Sequence, residues 1–467
     1  MNPNNFPLHL SSRREFIKNT GKIAAAGALA GVTLPLVHAA EDNTLQLALI
    51  GCGGRGTGAV ANALGLSAEA GPRKLVAMAD VFEHKLKGSF ESLKGKHADQ
   101  MDVPEDRKFI GFDGYQKAMD CLKPGDIAIF ATPLAFRWVH FKYAIEKGLN
   151  VFMEKPVAAD APTARRMMAL GEEAKKKNLK VAVGLMVRHC RGRQALHEKI
   201  SEGAIGDIIA LRAYRMHGPQ ATAFTDPSMR KEGQSELMFQ ISRFHSFLWL
   251  SGGLFSDFYI HQIDETCWMK NAWPVKCQAV GGRHYRGNNI DQNFDHYQVE
   301  YTFEDGAKLF FYGRTMPGCY DDFSSFAHGS KGVGVISLGS HHLQKAGRIY
   351  KGQKMTPENE IWSFLKTPTE KAPDPYEMEW QDLIAAIRKN EPYNEVQRAA
   401  EASAVTAMGR FAAHTGQEVT FADYMKNEQE FAPDVDRLTM DSEPPLKPDA
   451  DGKYPVPQPG ILKNREY

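Results

Sequence analysis

The chain has 467 residues, 43% of them hydrophobic, with 57 Lys and Arg set against 56 Asp and Glu. A formal charge of +1, with no basic run interleaved with aromatics, offers no field to gather nucleic acid or an anionic membrane surface. The length allows two domains with substantial cores, and six cysteines without a C-x-x-C pair argue against zinc ribbons and thioredoxin-like redox chemistry.

Taken in chain order, the first signal is Ser12–Arg13–Arg14–Glu15–Phe16–Ile17–Lys18, followed by an apolar stretch from Ile23 to Val37 and the small-residue site Val37–His38–Ala39. A charged region, a short apolar region and a cleavage site make an export signal. The paired arginines resemble the twin-arginine address. Residues 1–39 are therefore expected to be removed after Ala39, leaving a periplasmic or otherwise extracytoplasmic protein with no membrane segment. A retained anchor is the alternative.

Residues 40–185 alternate apolar runs with helical stretches. The runs are Leu45–Gly51, Lys74–Asp80, Asp126–Pro133, Leu149–Lys155 and Lys180–Leu185. The helical stretches are Gly56–Leu66, Glu83–Gly95, Phe136–Lys147 and Ala161–Lys177. Continuous apolar runs read as strands buried on both faces, and alternation with helices predicts a parallel sheet built of βαβ units.

The first run opens onto Gly51–Cys52–Gly53–Gly54–Arg55–Gly56, a G-x-G-x-x-G between a strand and a helix. Glycines there permit a tight turn and let backbone N–H groups and a helix N-terminus approach a pyrophosphate. Asp80, ending the second run, suits ribose hydroxyls and repels a 2′-phosphate, which favours NAD, while Arg55 keeps NADP open. A glycine turn without a ligand is the bland alternative.

Thr132–Pro133 closes another buried strand, and His140 follows as a packed helix residue or a catalyst. Glu154–Lys155–Pro156 then ends the run Val151–Met153. It reads either as a solvated turn or as a lysine held at the carboxyl edge of a parallel sheet, where open α/β folds bind ligands.

Residues 186–425 change texture. Ile208–His217, Val275–Arg286, Asp295–Phe303 and Ala307–Thr315 look like longer, partly alternating strands of an antiparallel sheet, with Glu304–Asp305–Gly306 as a hairpin turn. Helices are expected over Tyr376–Lys389 and Glu395–His414, the second stopping at Thr415–Gly416. Within SGGLFSDFYIHQIDETCWMKN, residues 251–271, a helix from Leu254 puts Asp257 and His261 on one face. A carboxylate beside an imidazole fixes its tautomer and raises its basicity, and Asp264 is placed to cap or orient the same ring. A structural role for the pair is the alternative. No metal is expected, because no third ligand is spaced nearby. Residues 426–467, rich in Pro, Asp and Lys, read as an extended C-terminal arm.

A Rossmann loop, A-T-P at a strand end, E-K-P, and G-G…D-x-x-x-H-x-x-D, in that order, resemble the glucose–fructose oxidoreductase/inositol dehydrogenase/MocA superfamily over about residues 45–420. The resemblance implies an N-terminal Rossmann domain and a C-terminal α+β domain with a large, mostly antiparallel open sheet. It implies an NAD(P)-dependent oxidoreductase acting on a CH–OH group of a sugar, cyclitol or glycoside, with NAD tightly held. Lys155, Asp257 and His261 match the family's catalytic set. Gly51, Gly53, Gly54, Arg55, Gly56, Asp80, Thr132, Pro133, His140, Glu154 and Lys155 form the expected cofactor contacts.

Tyr259 replaces a small family residue and is expected to reshape the sugar pocket. Arg188, His189, Arg243, His245, Tyr285 and Tyr297 stand open between structural and sugar-contacting roles. Two other functions remain: a redox-cycling, NAD-dependent glycosidase of the α-N-acetylgalactosaminidase kind, and a non-catalytic sugar-binding protein. Because an open sheet needs covering, a homodimer or tetramer is expected.

Overall fold

The computed structural model describes residues 43–341, 346–367 and 370–467; the export-signal reading of residues 1–39 lies outside them. A six-stranded, all-parallel sheet comes first: β1 (Leu45–Ile50), β2 (Arg73–Asp80), β3 (Lys108–Ile110), β4 (Ile127–Phe130), β5 (Asn150–Met153) and β6 (Val181–Val183), in the order β3-β2-β1-β4-β5-β6. Its connecting helices are α1 (Gly54–Gly65), α2 (Glu83–His97), α3 (Gly114–Asp120), α4 (Arg137–Glu146) and α5 (Ala161–Lys176). The apolar runs are continuous because each strand is covered twice. Leu45, Leu47 and Leu49 enter one core, with Ala59 and Val60 of α1. Ala48 and Ile50 enter the other, with Phe141 of α4 and Met167 of α5.

Register decides where the loops meet. Ile50 pairs with Ala79 and Phe130, Phe130 with Met153, and Met153 with Val183. The carboxyl ends of five strands are thus level, and Gly51, Asp80, Ala131–Thr132, Glu154–Lys155 and Gly184 emerge along one edge.

After α6 (Arg191–Ser201) comes a nine-stranded sheet ordered β14-β13-β12-β11-β7-β10-β9-β8-β15. Its strands are β7 (Ile208–His217), β8 (Lys276–Gly282), β9 (His296–Thr302), β10 (Lys308–Thr315), β11 (Asp322–Gly329), β12 (Gly332–Leu338), β13 (Arg348–Lys351), β14 (Glu360–Ser363) and β15 (Val419–Thr420). All pairings are antiparallel except β7 with β10. One face packs on α7 (Gly253–Lys270) and on α9 (Val396–Thr415), and α8 (Pro375–Lys389) returns to the first sheet, where Trp380 stacks on Phe152 at 4.3 Å. The expected strand over Val275–Arg286 stops at Gly282. Beyond it Arg286 is buried against Asp291 (3.4 Å) and Asp295 (2.8 Å), an ion cluster that holds the chain as a loop.

Residues 426–467 carry no helix or strand apart from a short turn at Val435–Arg437, and they are packed down. Phe431, Val435, Leu446 and Tyr454 join a core cluster with Phe136, Phe247 and Trp249.

Candidate active site

A cavity of about 540 Å³ opens along the level edge of the first sheet and reaches α7 and the second sheet. Gly51, Gly53, Gly54, Arg55, Asp80, Thr132, Pro133, His140, Glu154, Lys155, Asp257 and His261 all line it. Gly56 lies beneath: a Cβ there would stand 2.0 Å from the Gly51 carbonyl oxygen, and the turn at Gly51 has φ +97°. Side chains at Gly53 and Gly54 would meet nothing within 4 Å, so the cradle is open on the cavity side. Gly53 caps α1 without a side-chain hydrogen bond, leaving the helix's first N–H groups available to an anion.

Asp80 is already half engaged. Its carboxylate accepts from Cys52 N at 2.7 Å and Phe82 N at 2.8 Å, which ties the glycine loop to the end of β2. Four lone-pair sites leave capacity for two further donors. Arg55 is engaged within the protein. Its Nε meets Glu154 Oε1 at 2.6 Å and its guanidinium lies over Tyr376 at 4.6 Å. Gly184 makes room for this pair, since a Cβ there would be 2.8 Å from Glu154 Oε2. His140 is a packed residue that borders the cavity. It is wedged against Tyr115, Phe130 and Phe136, contacts Thr132 Oγ1 at 3.3 Å, and is held neutral by burial, its pKa drawn down to about 3.

Lys155 leaves β5 through a cis peptide to Pro156 and crosses to α7. Its Nζ donates to the Asp257 carbonyl oxygen and lies 3.5 Å from Asp257 Oδ1. The start of α7 fixes that carboxylate. Gly252 and Gly253 both have positive φ, and Asn293 Oδ1 caps Leu254 N at 2.7 Å. Burial would raise the Asp257 pKa, but Lys155 and His245 outweigh it and bring it down to about 2, so the group is an anion.

The Asp257 carboxylate orients His245, not His261. Asp257 Oδ2 is 3.2 Å from His245 Nε2, and the other ring nitrogen meets Thr222 Oγ1 at 2.7 Å. An ionised carboxylate only accepts, so Nε2 carries a proton, and both His245 nitrogens are engaged by the protein. The i,i+4 spacing puts Asp257 and His261 on one face, but Lys155 and His245 take the carboxylate. Asp264 is also spent elsewhere, on Arg188 at 2.7 and 2.9 Å. His261 therefore stands apart, with Nδ1 unpaired among the described residues and its ring 4.6 Å from that of His341. Burial, then the charge of Lys155, hold its pKa well below the ordinary imidazole value.

Other candidates fall outside the cavity. Tyr259 is fully buried between Phe255 and Phe311, where Gly313 leaves space for its ring; it shapes the sheet core and not the pocket. His189 sits between Asp382 (2.8 Å) and Glu395 (3.1 Å). Arg243 donates to Thr225 and Phe224, Tyr297 meets His414 at 3.0 Å, and Tyr285 is 55% exposed. Sequence reasoning missed Arg215, His341 and Tyr376, which also line the cavity. The i,i+2 alternation of β7 could have flagged Arg215. His341 and Tyr376 come from loop and helix-start positions with no local pattern.

No family model and no curated protein matches the sequence. Solved structures do match. Myo-inositol 2-dehydrogenase from Lactobacillus plantarum is 21% identical, with 81% of this chain and 99% of that one covered and a TM-score of 0.57. Aldose-aldose oxidoreductase from Caulobacter crescentus, complexed with glycerol, is 17% identical at the same coverage, with a TM-score of 0.59. Levoglucosan dehydrogenase, in complex with NADH and levoglucosan, is 16% identical at the same coverage, with a TM-score of 0.60. The parallel sheet followed by a large, mostly antiparallel sheet is thus the fold of solved inositol and sugar dehydrogenases.

Proposed function

We propose that the protein is an oxidoreductase that uses NAD to oxidise a hydroxyl of a sugar, cyclitol or glycoside. One observation carries the reading: a single cavity holds the open glycine cradle at one end and Lys155, Asp257 and His261 at the other. The loop N–H groups would hold the pyrophosphate and Asp80 the ribose hydroxyls. Commitment of Arg55 to Glu154 favours NAD over NADP. The chemistry a bound nicotinamide supplies is acceptance of a hydride from a carbinol carbon. Lys155 brings positive charge to that hydroxyl and stabilises the oxygen as its proton departs. His261, neutral and with a ring nitrogen unpaired among the described residues, takes the proton. Asp257 and His245 hold the ammonium in place.

The test is to denature the purified protein and identify released dinucleotide by mass and absorbance, then titrate the folded protein with free sugars and cyclitols. Bound NAD, and appearance of NADH with the true substrate, is the expected result. Recovery of NADP alone would overturn the cofactor assignment.

The second reading is a redox-cycling glycosidase, which would use the same cavity and also move a proton at a carbon beside the oxidised one. Multiple-turnover aglycone release without added nicotinamide, with solvent deuterium gained at that carbon, would select it. Single-turnover oxidation selects the dehydrogenase.

Two features of the setting belong to the same proposal. Residues 1–39 act as a twin-arginine signal, so replacing Arg13 and Arg14 by Lys should hold the precursor in the cytoplasm on fractionation. The face of the second sheet opposite α7 and α9, where Tyr214 stacks on Tyr312 at 5.1 Å, pairs copies of the chain. A sedimentation mass of one chain would rule that out.

A further inference from the structure

We infer that the C-terminal arm is part of the dinucleotide site. This rests on reading the cavity as that site. Val435, Asp436 and Leu438 line the same cavity as Asp80 and the glycine loop. Val435 and Leu438 share a cluster with Val81 and Phe82, the two residues after Asp80, and with Phe112 and Tyr115. The arm thus roofs the cavity at its Asp80 end, opposite Lys155.

The roof is fastened on both sides. Upstream, Glu430 pairs with Arg166 at 2.6 Å and Phe431 N donates to Asp160 at 3.0 Å. Downstream, the Leu446 carbonyl accepts from Gln240 at 2.8 Å, the Pro455 carbonyl accepts from Gln292 at 2.8 Å, and the Tyr454 hydroxyl donates to Glu236. Farther on, Glu466 is buried against Arg410 at 2.8 Å. A segment this polar has no core of its own and is ordered by what it covers. Here it covers an apolar cluster around Phe136, Phe247 and Trp249 and, with Val435, Asp436 and Leu438, one end of the cavity.

Two consequences follow from the chemistry of the turn. Val435 and Leu438 are apolar contacts in the path by which the adenosine end of a dinucleotide would leave, so the arm slows release. Asp436 adds a second carboxylate to the end that holds Asp80, where Lys85 lines the cavity and Arg55 is already paired with Glu154. Two carboxylates repel a 2′-phosphate more firmly than Asp80 alone. Asp436 is therefore a specificity-determining residue, supplied from far along the chain.

The experiment measures NADH and NADPH dissociation by stopped-flow fluorescence on the full chain. It compares wild type with Asp436→Ala/Leu438→Ala and with Asp436→Asn, and circular dichroism and Tm confirm that each variant is folded. The double variant should release NADH at least about tenfold faster. Asp436→Asn should shift the NADPH-to-NADH affinity ratio toward NADPH by about three- to tenfold. Unchanged NADH release from the folded double variant overturns the roof, and an unchanged affinity ratio overturns the specificity role. Wild-type protein that binds neither dinucleotide overturns this inference together with the reading of the cavity. Dinucleotide binding that ignores the arm overturns the inference alone.

Discussion

At the scale of single residues, the site is organised around one anion. Asp257 carries negative charge at any pH above about 2 and divides it between the Lys155 ammonium and the His245 ring. Replacing Lys155 by Met removes the cation and keeps the length of the side chain. It should lower kcat by about 10²–10³, the usual effect of losing one preorganised electrostatic contact, and leave dinucleotide affinity within about threefold. Near-wild-type turnover in steady-state assays would remove Lys155 from the mechanism. Lys155, Asp257 and His261 stand out in the sequence because each sits at a marked position, a strand end before proline and one helical face, and all three line the cavity. Which ring the carboxylate orients was not legible. His245 precedes α7 across a glycine-rich corner, and its approach to Asp257 depends on two positive-φ glycines and the Asn293 cap. Spacing along a helix cannot report a partner that arrives from outside it.

At the scale of elements, strands buried on both faces announced themselves and edge strands did not. β1, β2, β4, β5 and β6 are apolar runs. β3 is three residues long and partly exposed at the sheet edge, so no pattern marks it. Strands β11 to β14 escaped for another reason: Asp322–Gly329 and Gly332–Leu338 are rich in Ser and Gly, whose small side chains blur alternation. The arm was legible as extended, yet its docking was not, because the groups that hold it lie on other elements. Arg410 is fully buried in α9, and Glu466 reaches it with two oxygens, at 2.8 and 2.9 Å. Glu466→Ala leaves that guanidinium buried without its counter-charge, which costs about 3–5 kcal/mol when a buried pair is broken. The expected result is a lower denaturation midpoint and faster proteolysis of the arm. A midpoint within about 0.5 kcal/mol of wild type would show the pair to be dispensable.

At the scale of the whole molecule, the buried titratable groups give stability a defined pH window. His140 and His261 are kept neutral by burial, so the unfolded chain takes up more protons once the pH drops below about 6.5. Burial opposes ionisation of Asp257, Glu395 and Glu466, but their cationic partners prevail and bring each to about 2. The stability those carboxylates add is present above their unfolded values and is lost as the pH falls toward 2. His189 runs the other way. Burial lowers its pKa, yet Glu395 and Asp382 carry it up to about 9, so its contribution is full below about 6.5 and gone above 9. Tm should therefore peak near neutrality and decline toward pH 4 and toward pH 9, the acid-side loss being softened by Asp160, Glu265, Asp291 and Glu379, whose pKa values burial raises. His189→Gln should flatten the alkaline side, and a Tm profile level from pH 4 to 7 would contradict the assignment of the buried groups.

One helix also sets how the molecule can move. Val396, Ala399, Ala400 and Ala402, in the first half of α9, belong to the core beneath the parallel sheet. Ala404, Val405, Met408 and Phe411, in the second half, belong to the core of the large sheet. Val396 also presses on α5, where Gly171 lets the two helices close up: a Cβ there would stand 2.9 Å from Val396 Cβ. Jaw-like closure needs a seam that bends with little repacking, and here a single rigid rod is keyed into both halves. The mouth of the cavity is then set when the chain folds. On the proposed function, entry and exit would be a matter of lifting a strap, with the spacing from cradle to ammonium kept constant.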